Sequence, residues 1–89
     1  MRTITLELTR LRSVPALHKY LRSVLALPVY YGANLDALHD CLTELAEPTT
    51  LIVPAAIAAN ENLGWYGKQF LQVLQDAASE NANLTVSVK

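Results

Sequence analysis

The sequence predicts an α/β fold in which a three-stranded parallel sheet is packed by three to four helices. Three observations predict it. Apolar residues alternate with polar ones in short segments and recur at three- to four-residue spacing between those segments, so strand and helix periods are both present. The segments follow in the order β-α-α-β-α-β, and strands separated by helices of this length favour parallel pairing through right-handed crossovers. Composition supports a packed core: 52% of the 89 residues are apolar and 17% are charged, a globular rather than a disordered balance. A chain of this size buries about 60–65% of its unfolded surface, enough for one core and not for two. Residues 1–89 therefore read as a single domain, without internal repeat, linker or low-complexity tract.

The elements are justified in order. Thr3-Ile4-Thr5-Leu6-Glu7-Leu8 alternates and carries β-branched residues, a strand with one buried face. Ser13 can cap a first helix, and Pro15 belongs in its first turn, where the missing N–H costs nothing. Leu17, Tyr20, Leu21, Val24 and Leu25 form its inward stripe, His18 reads as solvated, and Pro28 is expected to stop it. A second helix is expected from Asn34 to Glu47, ended by Pro48. Thr49-Thr50-Leu51-Ile52-Val53 is a nearly continuous run of strand composition, read as an interior strand covered on both faces and closed by Pro54. Residues 55–63 are ambiguous, with a turn or two of helix possible over Ala55 to Ala59. A third helix starts between Gly64 and Gly67 and reaches about Glu80, with Phe70, Val73, Leu74, Ala77 and Ala78 inward. Leu84-Thr85-Val86-Ser87-Val88 is a final alternating strand.

Net charge is −1, but its distribution is uneven. Residues 1–22 hold Arg2, Arg10, Arg12, Lys19 and Arg22 against Glu7 alone. Residues 23–67 hold Asp36, Asp40, Glu44, Glu47 and Glu61 and no Lys or Arg. A local field of one sign steers a partner of the opposite sign even when the total is near zero. The basic end, with a pI near 6.0 and no interleaved aromatics, reads as a solvated face rather than a nucleic-acid site. A single cysteine, Cys41, excludes a disulfide within the chain and fits a reducing compartment. No apolar stretch approaches a membrane span or a signal-peptide core, so a cytoplasmic location and no membrane contact are expected.

The stretch from Leu27 to Glu47, LPVYYGANLDALHDCLTELAE, carries the functional signal. Gly32 punctuates a loop and Asn34 is a good N-cap. Leu35, Leu38, Leu42 and Leu45 recur at helical spacing and face a core, which leaves Asp36, His39, Asp40, Thr43 and Glu47 on the opposite face. Tyr30 and Tyr31 precede the helix at the same end. Asp36 lies where a carboxylate offsets the helix dipole and has a local explanation; Asp40 is beyond that turn and has none. Carboxylates beside aromatics on a rigid helix make a binding face. Enzyme chemistry finds little support. Cys41 points about 100° from Asp40 toward the leucines and reads as a buried structural thiol. Asp36, His39 and Asp40 at i, i+3, i+4 lack a second ligand cluster, so no metal is expected, and with three glycines there is no phosphate loop and no cofactor is expected.

Leu27-Pro28, Tyr30-Tyr31-Gly32, Asn34-Leu35-Asp36-Ala37-Leu38 and Asp40-Cys41-Leu42-Thr43 closely resemble the signature of the barstar family, intracellular inhibitors of secreted barnase-type ribonucleases. The match is specific over roughly 17 residues and covers the rest more weakly, through length, element order and Gln72-Val73 with Asp76 before the last strand. The resemblance implies a three-stranded parallel sheet packed by helices and a non-enzymatic inhibitor. It implies that Asp40 occupies the RNA phosphate position in the nuclease active site. Tyr30 then packs on the catalytic histidine, Asp36 adds a salt bridge, and Asp76 is a peripheral acid. The expected partner-binding residues are Tyr30, Tyr31, Gly32, Asn34, Asp36, His39, Asp40, Thr43 and Asp76, and the expected partner is a secreted, guanyl-specific ribonuclease with a basic cleft. The alternative is a module that keeps the fold and binds another basic protein.

The sequence also departs from the family pattern. The family's tryptophan between the two acids is His39 here, acids common in the loop are Val29 and Ala33, and Asp76 is shorter by one methylene than the usual Glu. Steering of a basic partner should be correspondingly weaker. Protonation of His39 would subtract charge from the stripe, so binding to a cationic cleft is expected to weaken as pH falls through the histidine range.

Overall fold

The computed structural model describes residues 2–7, 11–27, 32, 34–59, 61 and 63–89. The described elements are β1 (Arg2–Thr5), α1 (Val14–Val24), α2 (Leu35–Thr43), β2 (Thr49–Val53), a 3-10 turn (Ala55–Ala59), α3 (Trp65–Glu80) and β3 (Leu84–Val88). The strands form one parallel sheet in the order β1-β2-β3. The expected sheet is therefore present, with three α-helices and one 3-10 turn. The register aligns Ile4, Leu51 and Val86 on one face and Thr3, Thr50 and Thr85 on the other. Leu51 and Val53 on the first face are fully buried, as is Thr49 nearly so, whereas Thr50 and Ile52 on the reverse face are half-buried. β2 is the central strand, but its second face is only partly covered. The strand order never reverses, so two crossovers of one hand carry their helices to the same side, and α2 and α3 pack directly on each other.

Apolar periodicity explains most of the core. Leu17, Leu21 and Leu25 of α1 and its end, Leu38 and Leu42 of α2, and Phe70, Leu74 and Ala77 of α3 are buried together with Leu6, Ile57, Leu63 and Leu84. Ser13 accepts from the Ala16 N–H at 3.2 Å and caps α1, with Pro15 in the first turn. Tyr20 is half-buried and its hydroxyl accepts from the Glu7 N–H at 2.8 Å, tying α1 to the end of β1. Gly67 lets α3 lie against the 3-10 turn: a Cβ there would collide with the Ile57 carbonyl oxygen.

Three expectations need correction. α1 ends before Pro28, which lies outside the described residues. Ala26 takes a left-handed conformation (φ 52°), and the N–H groups of Ala26 and Leu27 donate back to Ser23 and Arg22, which closes the helix locally. α2 ends at Thr43 rather than Glu47, because Asn81 reaches in from the turn after α3. Its buried amide donates to the Leu42 carbonyl at 2.9 Å and the Leu45 carbonyl at 3.1 Å, and its oxygen accepts from the Asn83 N–H. His18 is not solvated. It is 2% exposed, with Nε2 2.6 Å from the Tyr66 hydroxyl of α3 and the two rings edge to face at 5.8 Å.

Candidate protein-binding face

The face begins at a cap. Asn34 accepts from the Ala37 N–H at 2.8 Å and donates to the Gly32 carbonyl at 3.1 Å, so the loop's last turn is fastened to the start of α2. Gly32 suits this place because a Cβ would press within 3.2 Å of the Asn34 amide and 3.4 Å of the Ala37 side chain. Leu38 and Leu42 anchor the inner side, so the rotation of α2 is fixed and Asp36 and Asp40 face outward, both exposed. The Asp40 side chain is 81% exposed. Thr43 is half-buried, and its hydroxyl donates to the Asp40 carbonyl at 2.9 Å, which steadies the last turn without engaging the carboxylate.

His39 sits between the two acids and is half-buried against α3. Its Nε2 lies 2.5 Å from the Glu80 carboxylate, and its Nδ1 is 3.9 Å from that of Asp40. Asp76 is exposed one turn before Glu80 on the same side of α3 and accepts from the Gln72 amide at 2.9 Å. Packing of α2 on α3 thus brings one acid from each helix, Asp40 and Glu80, to the same imidazole. Glu80 is not among the binding residues expected from the sequence. Its signal was available, since it stands four residues after Asp76. Glu47 leaves the stripe, because it follows the helix and pairs with Arg2 at 3.3 Å. Tyr30 and Tyr31 lie outside the described residues.

Other chemistry has less to work with. Cys41 is half-buried rather than buried. Burial first, then the charges of Glu44 and Asp40, pushes its thiol above the usual range, which keeps it protonated and weakly nucleophilic. Among the described residues, no three His, Cys, Asp or Glu side chains gather as metal ligands. Arg12, Lys19 and Arg22 of the basic end are exposed, and Arg10 lies outside the described residues. No helix among those residues is long and apolar enough to cross a membrane.

Comparison with known proteins decides the relationship. The model of the family described as Barstar (barnase inhibitor) matches residues 1–89. The chain belongs to the barstar family. The parallel three-stranded sheet packed by helices that the sequence predicts for such a member is the one observed. The chain is also similar to a Bacillus subtilis (strain 168) protein named "Putative ribonuclease inhibitor YrdF". The two are 40% identical over 81 residues, which is 90% of this chain and 89% of the relative. That coverage extends through α2 and α3, so the likeness to this relative is not confined to the signature stretch.

Proposed function

We propose that this protein inhibits a secreted, guanyl-specific ribonuclease of the barnase type, acting in the cytoplasm and doing no chemistry itself. The face of α2, with the loop that holds Tyr30 and Tyr31, covers the nuclease active-site cleft, and Asp40 enters it in place of an RNA phosphate. One observation carries this reading: a carboxylate 81% exposed stands on a helix that Asn34 caps, that buried Leu38 and Leu42 anchor in the core and whose C-terminal carbonyls Asn81 holds. An ionised carboxylate only accepts, and takes charge-assisted bonds from several cationic donors at once. Its backbone is held in advance by the helix, so docking orders only the short aspartate side chain. Membership of a family described as barnase inhibitors and a relative named for ribonuclease inhibition support the same partner class.

The test is inhibition of a barnase-type ribonuclease by the wild type and by Asp40→Ala, with circular dichroism confirming that both are folded. Wild-type inhibition with a loss of at least about 30-fold in the variant is expected. A folded wild type that inhibits none of a panel of such nucleases would favour a module for some other basic protein.

A further inference from the structure

The contact between His39 and Glu80 has no counterpart among the features that build the helices. It runs from α2 to α3, on the outside, in the middle of the carboxylates that the proposed function uses. Glu80 stands in the last turn of α3, where the helix dipole disfavours a negative charge, and α3 has no basic residue in that turn. Asp76 adds a second negative charge one turn away. An unpaired Glu80 would therefore be a strong lure for any cation brought to this face. His39 sits 2.5 Å from it instead.

We infer that His39 is the specificity-determining residue of the face: by holding Glu80 across the α2–α3 contact, it withdraws that carboxylate from the partner. The inference rests on the proposed ribonuclease-inhibitor reading. Asp36 and Asp40 remain as carboxylates offered outward, Asp76 is exposed and bonded to the neutral Gln72 amide, and Glu80 is engaged by His39. The matching nuclease has cationic groups opposite Asp40 and Asp36 and an uncharged surface opposite Glu80. A more basic cleft, with a cation at that last place, gains nothing from it while His39 is present. The charged groups beside the imidazole are Asp40 on its own helix and Glu80 on α3; Asp36 and Asp76 stand one turn before them on α2 and α3.

A double-mutant cycle on the full chain tests this, with inhibition of a barnase-type ribonuclease that carries a cationic group opposite Glu80 as the readout. The variants are His39→Phe, Glu80→Gln and the two combined. Phe keeps a ring against α3 and removes the nitrogen that meets Glu80. Glu80→Gln in the wild-type background should change affinity by less than about twofold. The same change made beside His39→Phe should weaken binding by about threefold to fivefold, the range of an exposed ion pair, because the freed carboxylate then faces the nuclease. Equal effects in the two backgrounds overturn the proposal, and they do so even if His39→Phe lowers thermal stability, since a purely structural pair moves stability and leaves the binding cycle additive. A wild type without inhibition of any such nuclease overturns the functional reading beneath it, and that failure shows before any variant is made.

Discussion

Two histidines tie helices to α3, and they do so under opposite conditions. His18 joins α1 to Tyr66 in the first turn of α3 and is 2% exposed. His39 joins α2 to Glu80 in the last turn and is about a third exposed. The first contact is a short hydrogen bond to a neutral hydroxyl in the interior. The second is an ion pair at the surface when the imidazole is charged. The same side chain is thus a core strut in one place and an adjustable surface contact in the other. What separates them is solvent: burial disfavours the charged imidazole at position 18, whereas at position 39 water, salt and a docking partner all compete for the same groups.

The largest expected effect lies at the buried end. His18→Ala removes a packed ring and leaves the Tyr66 hydroxyl without this partner, so it should destabilise the fold by about 2–4 kcal/mol, read by urea denaturation. A loss below about 1 kcal/mol would show that His18 is more accessible than its position indicates. Asn81→Ala should come next, at about 1–3 kcal/mol. It uncovers the Leu42 and Leu45 carbonyls that the Asn81 amide now occupies. Slower amide exchange in the last turn of α2 in that variant, rather than faster, would contradict the role given to it.

The pH dependence sharpens the comparison further. Burial lowers His18 below its ordinary 6.5 and raises Tyr66 above its ordinary 10.0. Between the lowered folded value and 6.5 the unfolded chain binds more protons than the folded one, so stability falls as pH drops through that interval. Tyr66 acts with the opposite slope. Above 10.0 the unfolded tyrosine loses its proton first, so stability falls as pH rises. The pair therefore contributes fully only between about pH 6.5 and 10.0, and outside that window each group costs at most about 1.4 kcal/mol of stability per pH unit. Thermal melts from pH 5 to 7 should show the acid-side loss in the wild type and a flatter profile in His18→Phe. Parallel profiles would rule out His18 as its source.

How far the sequence disclosed these two regions follows from the range of the interactions involved. Helix and strand periods are local, and they placed Leu38 and Leu42 inward, Asp36 and Asp40 outward, and the caps at Ser13 and Asn34. The end of α2 is not local: Asn81 reaches it from 39 residues away, and Pro48 offered a plausible but later stop. His18 follows Leu17 and precedes Leu21 by three, so it borders the apolar stripe. What makes it a buried residue is Tyr66, 48 positions on. Cys41 leans toward the leucines as its helical angle suggests, yet the width of the inward stripe leaves it half-buried. The signature around Asp40 was legible because it is contiguous. Glu80 shows in the sequence only as an acid one turn after Asp76; that it meets His39 follows from the packing of α3 on α2.

The smallest effect tests the surface end of the comparison. His39→Ala should cost no more than about 1 kcal/mol of stability at low ionic strength, because both partners are partly exposed and solvent screens the pair. In 1 M NaCl the screening length shrinks to about 3 Å, and most of that difference should vanish. The loss in His18→Ala should persist in the same salt, since its contact with the Tyr66 hydroxyl is neutral and its ring is buried. A salt-independent cost at His39 would mean that its ring contributes by packing against α3 rather than by its charge. Glu80 would then be free for a partner. The specificity assigned to this position depends on which of these outcomes is seen, because a residue that only fills space cannot withdraw a carboxylate from the cleft it meets.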